Sequence, residues 1–315
     1  MFNIRITNRM QSPMNKDEVH LKQLAQWISD RWQSGFSHSY SISNSKSLAW
    51  SKWRKEIQPN SPEVWWCHSF EEAGNHYSWI ETDVSFADLS MSLQAALKNN
   101  DNQTCAKLCQ KIFKWGGVAR RQNDRSNIWV MSHLANGDLC TKIKEATKLL
   151  QPDSRHSLEE FNGNNLLMNS ALTKVYAAAD LQKNVVIYDG RVGAALGLIV
   201  RRMLEQQNLT QIPTSLRFRW GPPSTKKAAR LNTRDPSTES LIFKRLPNTS
   251  QSKTADLRRA KLSKITNKLC RYVTNLLAND GTLVGSSELE KALFMIGYDV
   301  RDTFEINSEL PSQDN

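Results

Sequence analysis

The sequence predicts a mainly α-helical protein with few short strands, and three observations support this fold class. Apolar residues recur at near-helical spacing through most of the 315-residue chain. Serine, aspartate, glycine and proline residues mark the starts and ends of these periodic segments. The chain is also long enough to bury a substantial core. We expect an N-terminal helical region over 1–100, a central helical unit over 101–210, and a basic loop with C-terminal helices over 211–315.

The N-terminal region is predicted to contain two helices and an aromatic segment. Residues 16–33 place Leu21, Leu24 and Ile28 on one helical face. Residues 48–57 have the same character, and Pro59 ends them. The other stretches are an aromatic, compact segment, a Ser-rich loop, and a short strand or irregular arm: 63–69, 34–47 and 1–15.

Helices continue through the middle and the end of the chain. Ser85 is a favoured N-cap residue, Gly116-Gly117 ends one helix, and Pro152 ends another. An extended link, Val185–Gly190, separates two strongly helical segments. The predicted helical spans are 85–99, 102–114, 126–134, 138–150, 165–179, 192–207, 254–279 and 286–297. The proline-rich stretch 211–252 is expected to wrap over the surface, and 308–315 to fray.

The charge is unevenly distributed along the chain. The net charge is +11, yet residues 221–271 contain 13 Lys and Arg against 3 Asp and Glu, while residues 272–315 contain 2 against 8. A basic block beside an acidic tail is typical of a polyanion-binding surface, although a solvated basic loop has the same composition. We therefore predict nucleic acid as the partner, and the acidic tail would suit a protein partner.

Other classes of protein are disfavoured by composition. No run of about 18 apolar residues suggests a membrane span, and the N-terminus lacks the apolar core of a secretion signal. The five cysteines form no CxxC pair, and the six histidines share no metal-ligand spacing. The sequence thus predicts a cytoplasmic protein with reduced thiols, no metal and no cofactor.

The most informative stretch is 166–202. It contains Thr173-Lys174-Val175 on a helix, and then Ile187-Tyr188-Asp189-Gly190-Arg191-Val192 at the start of the next helix. Over about residues 165–205 the chain resembles the helix-hairpin-helix DNA glycosylases, in particular their 8-oxoguanine DNA glycosylase-like branch. That family pairs a Thr/Ser-Lys with an Asp that caps the following helix. The family's Leu-Pro-Gly-(Val/Ile)-Gly hairpin is replaced here by Leu167–Ala171.

The resemblance implies a mechanism and assigns two catalytic residues. The implied partner is double-stranded DNA. A nucleotide would be flipped out of this duplex, and the neutral amine of Lys174 would attack its sugar to give a Schiff base. Asp189 would stabilise the cationic sugar and help keep Lys174 deprotonated. The residues by themselves also fit a surface lysine and a structural N-cap aspartate.

Base and backbone contacts are assigned to aromatic and basic residues. Trp115, Tyr188 and Trp220 are candidates for a base pocket, although each also fits a role in the core. The candidates for binding phosphates are Arg191, Arg201, Arg202, Lys226, Lys227, Arg230, Arg258, Arg259, Lys261, Lys264 and Lys268.

Two further functions stay open at this point. The protein could bind nucleic acid or support an assembly without chemistry, having kept a degenerate glycosylase-like fold; the altered hairpin favours this alternative. It could instead be an interaction subunit that binds a partner through its acidic tail. The Thr173-Lys174 and Tyr188-Asp189 pairs favour the enzyme, acting in repair or in restriction of modified DNA.

Overall fold

A computed structural model describes residues 16–43, 50–60, 63–79, 84–223, 232–247 and 254–301. The protein is mainly helical, and the described residues form one two-stranded sheet. The arm predicted over 1–15, the frayed end over 308–315, and the basic residues Lys226, Lys227 and Arg230 lie outside the described residues.

Ten α-helices are present in the described residues. They are α1 (Lys16–Ser29), α2 (Phe70–Asn75), α3 (Phe86–Lys98), α4 (Asn102–Trp115), α5 (Arg125–Ala135), α6 (Leu139–Leu150), α7 (Leu172–Ala179), α8 (Gly190–Gln206), α9 (Ala255–Asn279) and α10 (Ser286–Ile296). The two strands are β1 (His38–Ser41) and β2 (Val64–Cys67), which pair antiparallel. Short π-helical and 3₁₀ segments occur at Trp53–Ile57 and Thr214–Leu216.

Side-chain caps explain several helix starts. The hydroxyls of Ser69 and Ser85 and the carboxylate of Asp101 each accept a hydrogen bond from a backbone N–H in the first turn. Helix α7 begins later than the span 165–179 predicted, because the Asn169 side chain accepts from the N–H groups of Ala171 and Leu172 and so starts the helix there.

The prediction of a loop over 34–47 is wrong in part, because it contains strand β1. His38, Ser39 and Tyr40 are buried in that strand. They pair with the aromatic strand β2, opposite Cys67, Trp66 and Trp65. The backbone hydrogen bonds of β1 are made with β2, a segment more than 20 residues away in the chain, and the Ser-rich composition of 34–47 gives no indication of this pairing.

Two apolar clusters form the interior, and the chain contributes to them discontinuously. The first, the outer cluster, is built from α1, the sheet, α2, α8, α10 and most of α9. The second, the central cluster, is built from α3 to α7, with Ala260 of α9. Residues up to Ala73 therefore pack with residues from Val186 onward, which crosses the predicted boundaries at 100 and 210. The chain passes from the central cluster to the outer one between α7 and α8.

No helix in the described ranges is both long and apolar enough to cross a membrane.

Helix α8 is packed tightly through its glycines. A Cβ added at Gly193 would lie 1.9 Å from the backbone oxygen of Arg219 and 3.0 Å from the hydroxyl of Tyr188. The Tyr188 hydroxyl in turn donates to the Arg219 oxygen at 2.9 Å. This glycine thus lets the segment after α8 lie directly on the helix.

Gly193→Ala is expected to lower the free energy of unfolding by about 1–3 kcal/mol, because the backbone of Arg219 would have to move away. The measurement is urea unfolding followed by circular dichroism. Gly74→Ala, in α2, is the matched control, since its added Cβ would meet the nearest backbone oxygen at 3.2 Å. Equal stability of the two variants would contradict the proposed close packing.

Candidate active site

A cavity of about 430 Å³ lies where the two apolar clusters meet. Lys174 and Ser170 reach it from the central cluster, while Asp189, Arg191 and Glu290 reach it from elements of the outer cluster. The volume lies within the range of small-molecule sites. The two catalytic candidates from the sequence therefore line the same cavity.

Lys174 is held in the cavity by its surroundings on α7. Its side chain is only 7% exposed, and its Nζ donates to the backbone oxygen of Ser170 at 2.9 Å. Gly116 makes room for it, since a Cβ there would lie 2.5 Å from the Lys174 Cδ. The first glycine of the Gly116-Gly117 pair thus shapes the site as well as ending α4.

Asp189 caps α8 and faces Lys174. One carboxylate oxygen, Oδ1, accepts from the backbone N–H groups of Arg191 and Val192, at 2.8 and 3.2 Å. The other oxygen, Oδ2, lies 3.8 Å from the Lys174 Nζ. A single carboxylate therefore serves both the predicted structural role and an ion pair with the lysine.

The link between α7 and α8 fixes the geometry of this pair. The Tyr188 N–H donates to the Thr173 hydroxyl at 3.0 Å, the Ile187 N–H to Glu290 Oε2 at 2.8 Å, and the Val186 N–H to Asn267 Oδ1 at 3.0 Å. The Thr173 contact joins the two motifs directly. These bonds hold Asp189 at a set position relative to Lys174.

Burial changes the protonation of the pair. Burial lowers the pKa of Lys174, while the charge of Asp189 opposes this effect. Burial alone would raise the pKa of Asp189, but Lys174 and Arg191 outweigh it and the pKa is lowered. The expectation that Asp189 helps keep Lys174 deprotonated is wrong, because its negative charge favours the ammonium form. Desolvation supplies the tendency to lose the proton.

Glu290 of α10 is a site residue that the sequence interpretation missed. Burial, together with the charge of Asp189, raises its pKa to about 7 against the lowering effect of the Ile187 hydrogen bond. A carboxyl group that titrates near neutrality can exchange protons with its neighbours. No local pattern in the sequence marks Glu290, because it reaches the cavity only through the packing of α10, one turn before the cavity-lining Phe294.

The stability contributed by Glu290 should depend on pH. Its pKa in the folded protein, about 7, lies above the ordinary value of 4.5. The contribution is therefore complete below about pH 4.5 and is lost as the pH rises to about 7. Glu290→Gln keeps an acceptor for the Ile187 N–H, so we expect its stability relative to wild type to increase between pH 4.5 and 7. Denaturant unfolding at several pH values measures this, and a constant difference would contradict the assignment.

Arg191 and Arg234 form one wall of the cavity. The Arg191 guanidinium carbon lies 4.4–5.0 Å from the ring centroids of Trp79, Phe294 and Tyr298. Burial, together with the charge of Arg191, lowers the pKa of Arg234 to about 10. The arginine predicted to bind nucleic acid at position 191 is thus part of the same site as Lys174.

The three aromatic candidates for a base pocket are placed differently. Trp115 lines the cavity, with its ring stacked on Phe86 at a centroid distance of 4.4 Å. Tyr188 and Trp220 are buried and belong to the outer cluster. The Trp220 indole N–H donates to the backbone oxygen of Phe243 at 3.0 Å. Only Trp115 of the three therefore lines the cavity.

The basic candidates on α8 lie away from the cavity lining. Arg201 is buried, donates to the Pro236 oxygen at 3.3 Å and lies 3.7 Å from Glu205. Arg202 donates to the Ser37 oxygen at 2.7 Å. Both side chains thus have contacts within the protein.

The basic candidates on α9 differ in what they contact. Arg259 lines the cavity, whereas Arg258 and Lys261 are exposed. Lys264 donates to the His156 oxygen at 3.4 Å, and Lys268 lies 3.6 Å from Glu18. The exposed positive charge of this helix is therefore closest to the cavity at its N-terminal end.

The Leu167–Ala171 segment, with Leu172, has its own hydrogen-bond partners. The Met168 N–H donates to Asp256 Oδ1 at 2.9 Å, and Asp256 also pairs with Arg125 at 2.9 Å. The N–H groups of Ala171 and Leu172 are taken by Asn169. These backbone groups are therefore used for packing against α9 and for starting α7.

Comparison of the chain with protein-family models, with curated proteins and with solved structures gives no match.

Proposed function

We propose that the protein binds DNA and carries out glycosylase and abasic-site lyase chemistry on a flipped nucleotide. The observation that carries the proposal is the ion pair of Lys174 and Asp189 inside a cavity, where burial lowers the pKa of the lysine. An amine is a nucleophile only in its neutral form, and burial is one of the ways proteins produce that form. The limited resemblance to helix-hairpin-helix glycosylases supports the same chemistry.

The residues divide the work of this reaction. Glu290 accepts the proton that the Lys174 ammonium group releases, and the amine nitrogen then bonds to C1′ of the sugar. The bond from C1′ to the base breaks, and the base leaves with the electron pair and takes up a proton. Opening of the sugar ring gives the iminium form of the Schiff base, whose positive charge faces Asp189. Loss of the C2′ proton forms a C2′–C3′ double bond as the C3′–O3′ bond breaks, and the 3′ phosphate leaves with O3′ and the electron pair, which cuts the strand.

The test is covalent trapping on an abasic site. There the aldehyde carbon and the Lys174 amine condense with loss of water, and borohydride reduces the imine to a stable amine. We expect the full chain to form this adduct with an abasic duplex and to form none with an intact duplex. Absence of an adduct, together with normal binding to the abasic duplex, would contradict the lyase proposal.

Duplex binding should depend on the N-terminal end of α9 more than on its later turns. Arg258 and Lys261 are exposed beside the cavity-lining Arg259, while Arg271 lies about 18 Å further along the helix and pairs with Asp153 at 2.6 Å. We expect Arg258→Gln with Lys261→Gln to weaken duplex binding about tenfold and to flatten its salt dependence. Lys268→Gln with Arg271→Gln is the matched control with the same change in charge. A larger loss in the control would contradict this placement.

DNA binding without chemistry is the second candidate. The observation that favours it is the hairpin-like turn, whose N–H groups at Met168, Ala171 and Leu172 are already bonded within the protein. Such a protein would bind a duplex with strong salt dependence and would give no adduct. The trapping and salt experiments together distinguish the two candidates.

A further inference from the structure

The cavity contains more positive than negative charge. Its lining includes five basic side chains, those of Arg120, Lys174, Arg191, Arg234 and Arg259, against the carboxyl groups of Asp189 and Glu290. Glu290 is only partly ionised near neutrality, because burial raises its pKa to about 7. The two carboxyl groups therefore leave most of the positive charge without a counter-charge inside the cavity.

Two of these arginines also have buried donors that remain unused. Within the described residues, Arg191 Nη1 and Arg234 Nε are shielded from solvent and have no hydrogen-bond partner. Buried charged donors are normally bonded, because leaving them unpaired costs free energy. The faces of the Arg191 guanidinium contact aromatic rings, so what remains for a ligand is its in-plane N–H edge.

The other two arginines are used in a different way. Arg259 donates from Nε and Nη2 to the Pro247 oxygen, at 3.3 and 3.0 Å, and Arg120 donates from Nε to the Gly117 oxygen at 3.2 Å. The N-terminus of α8 is not the source of the unused donors either, since Asp189 occupies its first N–H groups. Among the described lining residues, Arg191 and Arg234 are therefore the arginines whose buried donors lack an acceptor.

We propose that Arg191 and Arg234 bind a phosphate group of the ligand that reaches Lys174. A phosphate offers several charged oxygens to two guanidinium groups at once, which is the recognition that arginine provides best. Its negative charge would also offset the repulsion between the Arg191 and Arg234 guanidinium groups, which now share the Asp189 carboxylate as a counter-charge. This site would supply inside the cavity a phosphate contact that the turn before α7, with its N–H groups already bonded, does not offer.

Binding of a phosphate anion at this wall stands on its own, whereas its assignment to the nucleotide at Lys174 rests on the proposed function. The first experiment titrates the full chain with inorganic phosphate at constant ionic strength and follows binding by calorimetry and by the unfolding temperature. We expect saturable binding by wild type and at least a tenfold weaker affinity for Arg234→Gln. The Arg234 Nε has no hydrogen-bond partner within the described residues, and the charge of Arg191 disfavours the Arg234 guanidinium, so this variant should fold.

Arg217→Gln is the matched control, because Arg217 is exposed and lies outside the cavity lining. Arg191→Lys keeps a cation among the aromatic rings and tests the loss of the planar fork, and near-ultraviolet circular dichroism reports whether its packing is intact. Equal phosphate affinity in wild type, Arg234→Gln and Arg191→Lys would overturn the proposal. So would the absence of saturable binding to wild type.

A second experiment identifies the source of the phosphate. One duplex carries a stable abasic analogue in a continuous strand, and two others carry a nick with either a 5′-phosphate or a 5′-hydroxyl at that position. If the 5′-phosphate increases the affinity of wild type for the nicked duplex, and Arg234→Gln abolishes that increase, the site binds a terminal phosphate. Equal weakening of all three duplexes by Arg234→Gln would assign it to a phosphodiester.

If Arg234→Gln changes binding to none of the three duplexes, the phosphate subsite is wrong. Failure of the lyase proposal looks different. In that case phosphate and duplex binding would depend on Arg234 as described, but no borohydride adduct would form on an abasic site.

Discussion

Lys174→Gln is expected to reduce borohydride trapping on abasic DNA by roughly 10³-fold or more, because it removes the only atom proposed to bond to the sugar. The variant should remain folded. Asp189 keeps its bonds to the N–H groups of Arg191 and Val192, and the charges of Arg191 and Arg234 still lower the pKa of its carboxyl group. The loss of adduct should therefore occur with nearly unchanged binding to a duplex that contains an abasic analogue.

Lys114→Gln is the control for this experiment. Lys114 is exposed near the end of α4, close in the chain to the cavity-lining Trp115 and Gly116, and has the same amine. The Lys114→Gln variant should form the adduct at the wild-type rate. Peptide mapping of the reduced adduct gives an independent readout, because the modified lysine must be residue 174. An adduct on another lysine, or one that persists in Lys174→Gln, would refute the assignment.

Asp189→Ala is expected to be the most destabilising of the single changes at the site. It removes the N-cap of α8, at a cost of about 0.5–2 kcal/mol, and leaves the Lys174 ammonium without its ion-pair partner. Removing one partner of a buried pair costs about 3–5 kcal/mol, and deprotonation of Lys174 would recover part of that cost. Urea unfolding near pH 7 measures the total.

Asp189→Asn separates the two effects, since asparagine also accepts at an N-cap but carries no charge. We expect it to be more stable than Asp189→Ala. Because the charge of Asp189 raises the pKa of Lys174, this variant should also form the initial imine at lower pH than wild type does. A shift of that pH profile to higher values would show that the ion pair acts in the opposite direction.

Local sequence signals predicted much of the helical structure. Apolar spacing on α4 and α6, and serine caps such as Ser85, depend on neighbours within a few residues and can be interpreted without the fold. The start of α7 was predicted too early, since Asn169 uses its side chain to begin the helix. Strand β1 was missed because the polar His38–Ser41 segment becomes a strand only against β2.

The site shows the same division between local and tertiary information. Lys174 and Asp189 belong to neighbouring elements, so a motif spanning both could indicate them. Glu290 and Arg234 come from distant parts of the chain, and only the packing of α10 and of the segment after α8 brings them to the cavity. Similarly, the sequence could not show that Arg201 is buried or that Lys268 lies against Glu18. The charge of a residue is visible in the sequence, but its environment is not.

The junction between the two apolar clusters runs through the candidate site. Lys174 lies on α7, which packs in the central cluster, whereas Asp189, Arg191 and Glu290 lie on or beside helices of the outer cluster. A small shear between the two halves would lengthen the contact between Nζ and Oδ2 without breaking either hydrophobic interior. A ligand that contacts both sides would oppose that shear and hold the halves in register. Ligand binding in the cavity would therefore slow amide hydrogen exchange on both sides of the junction, in α3 of the central cluster and in α10 of the outer one.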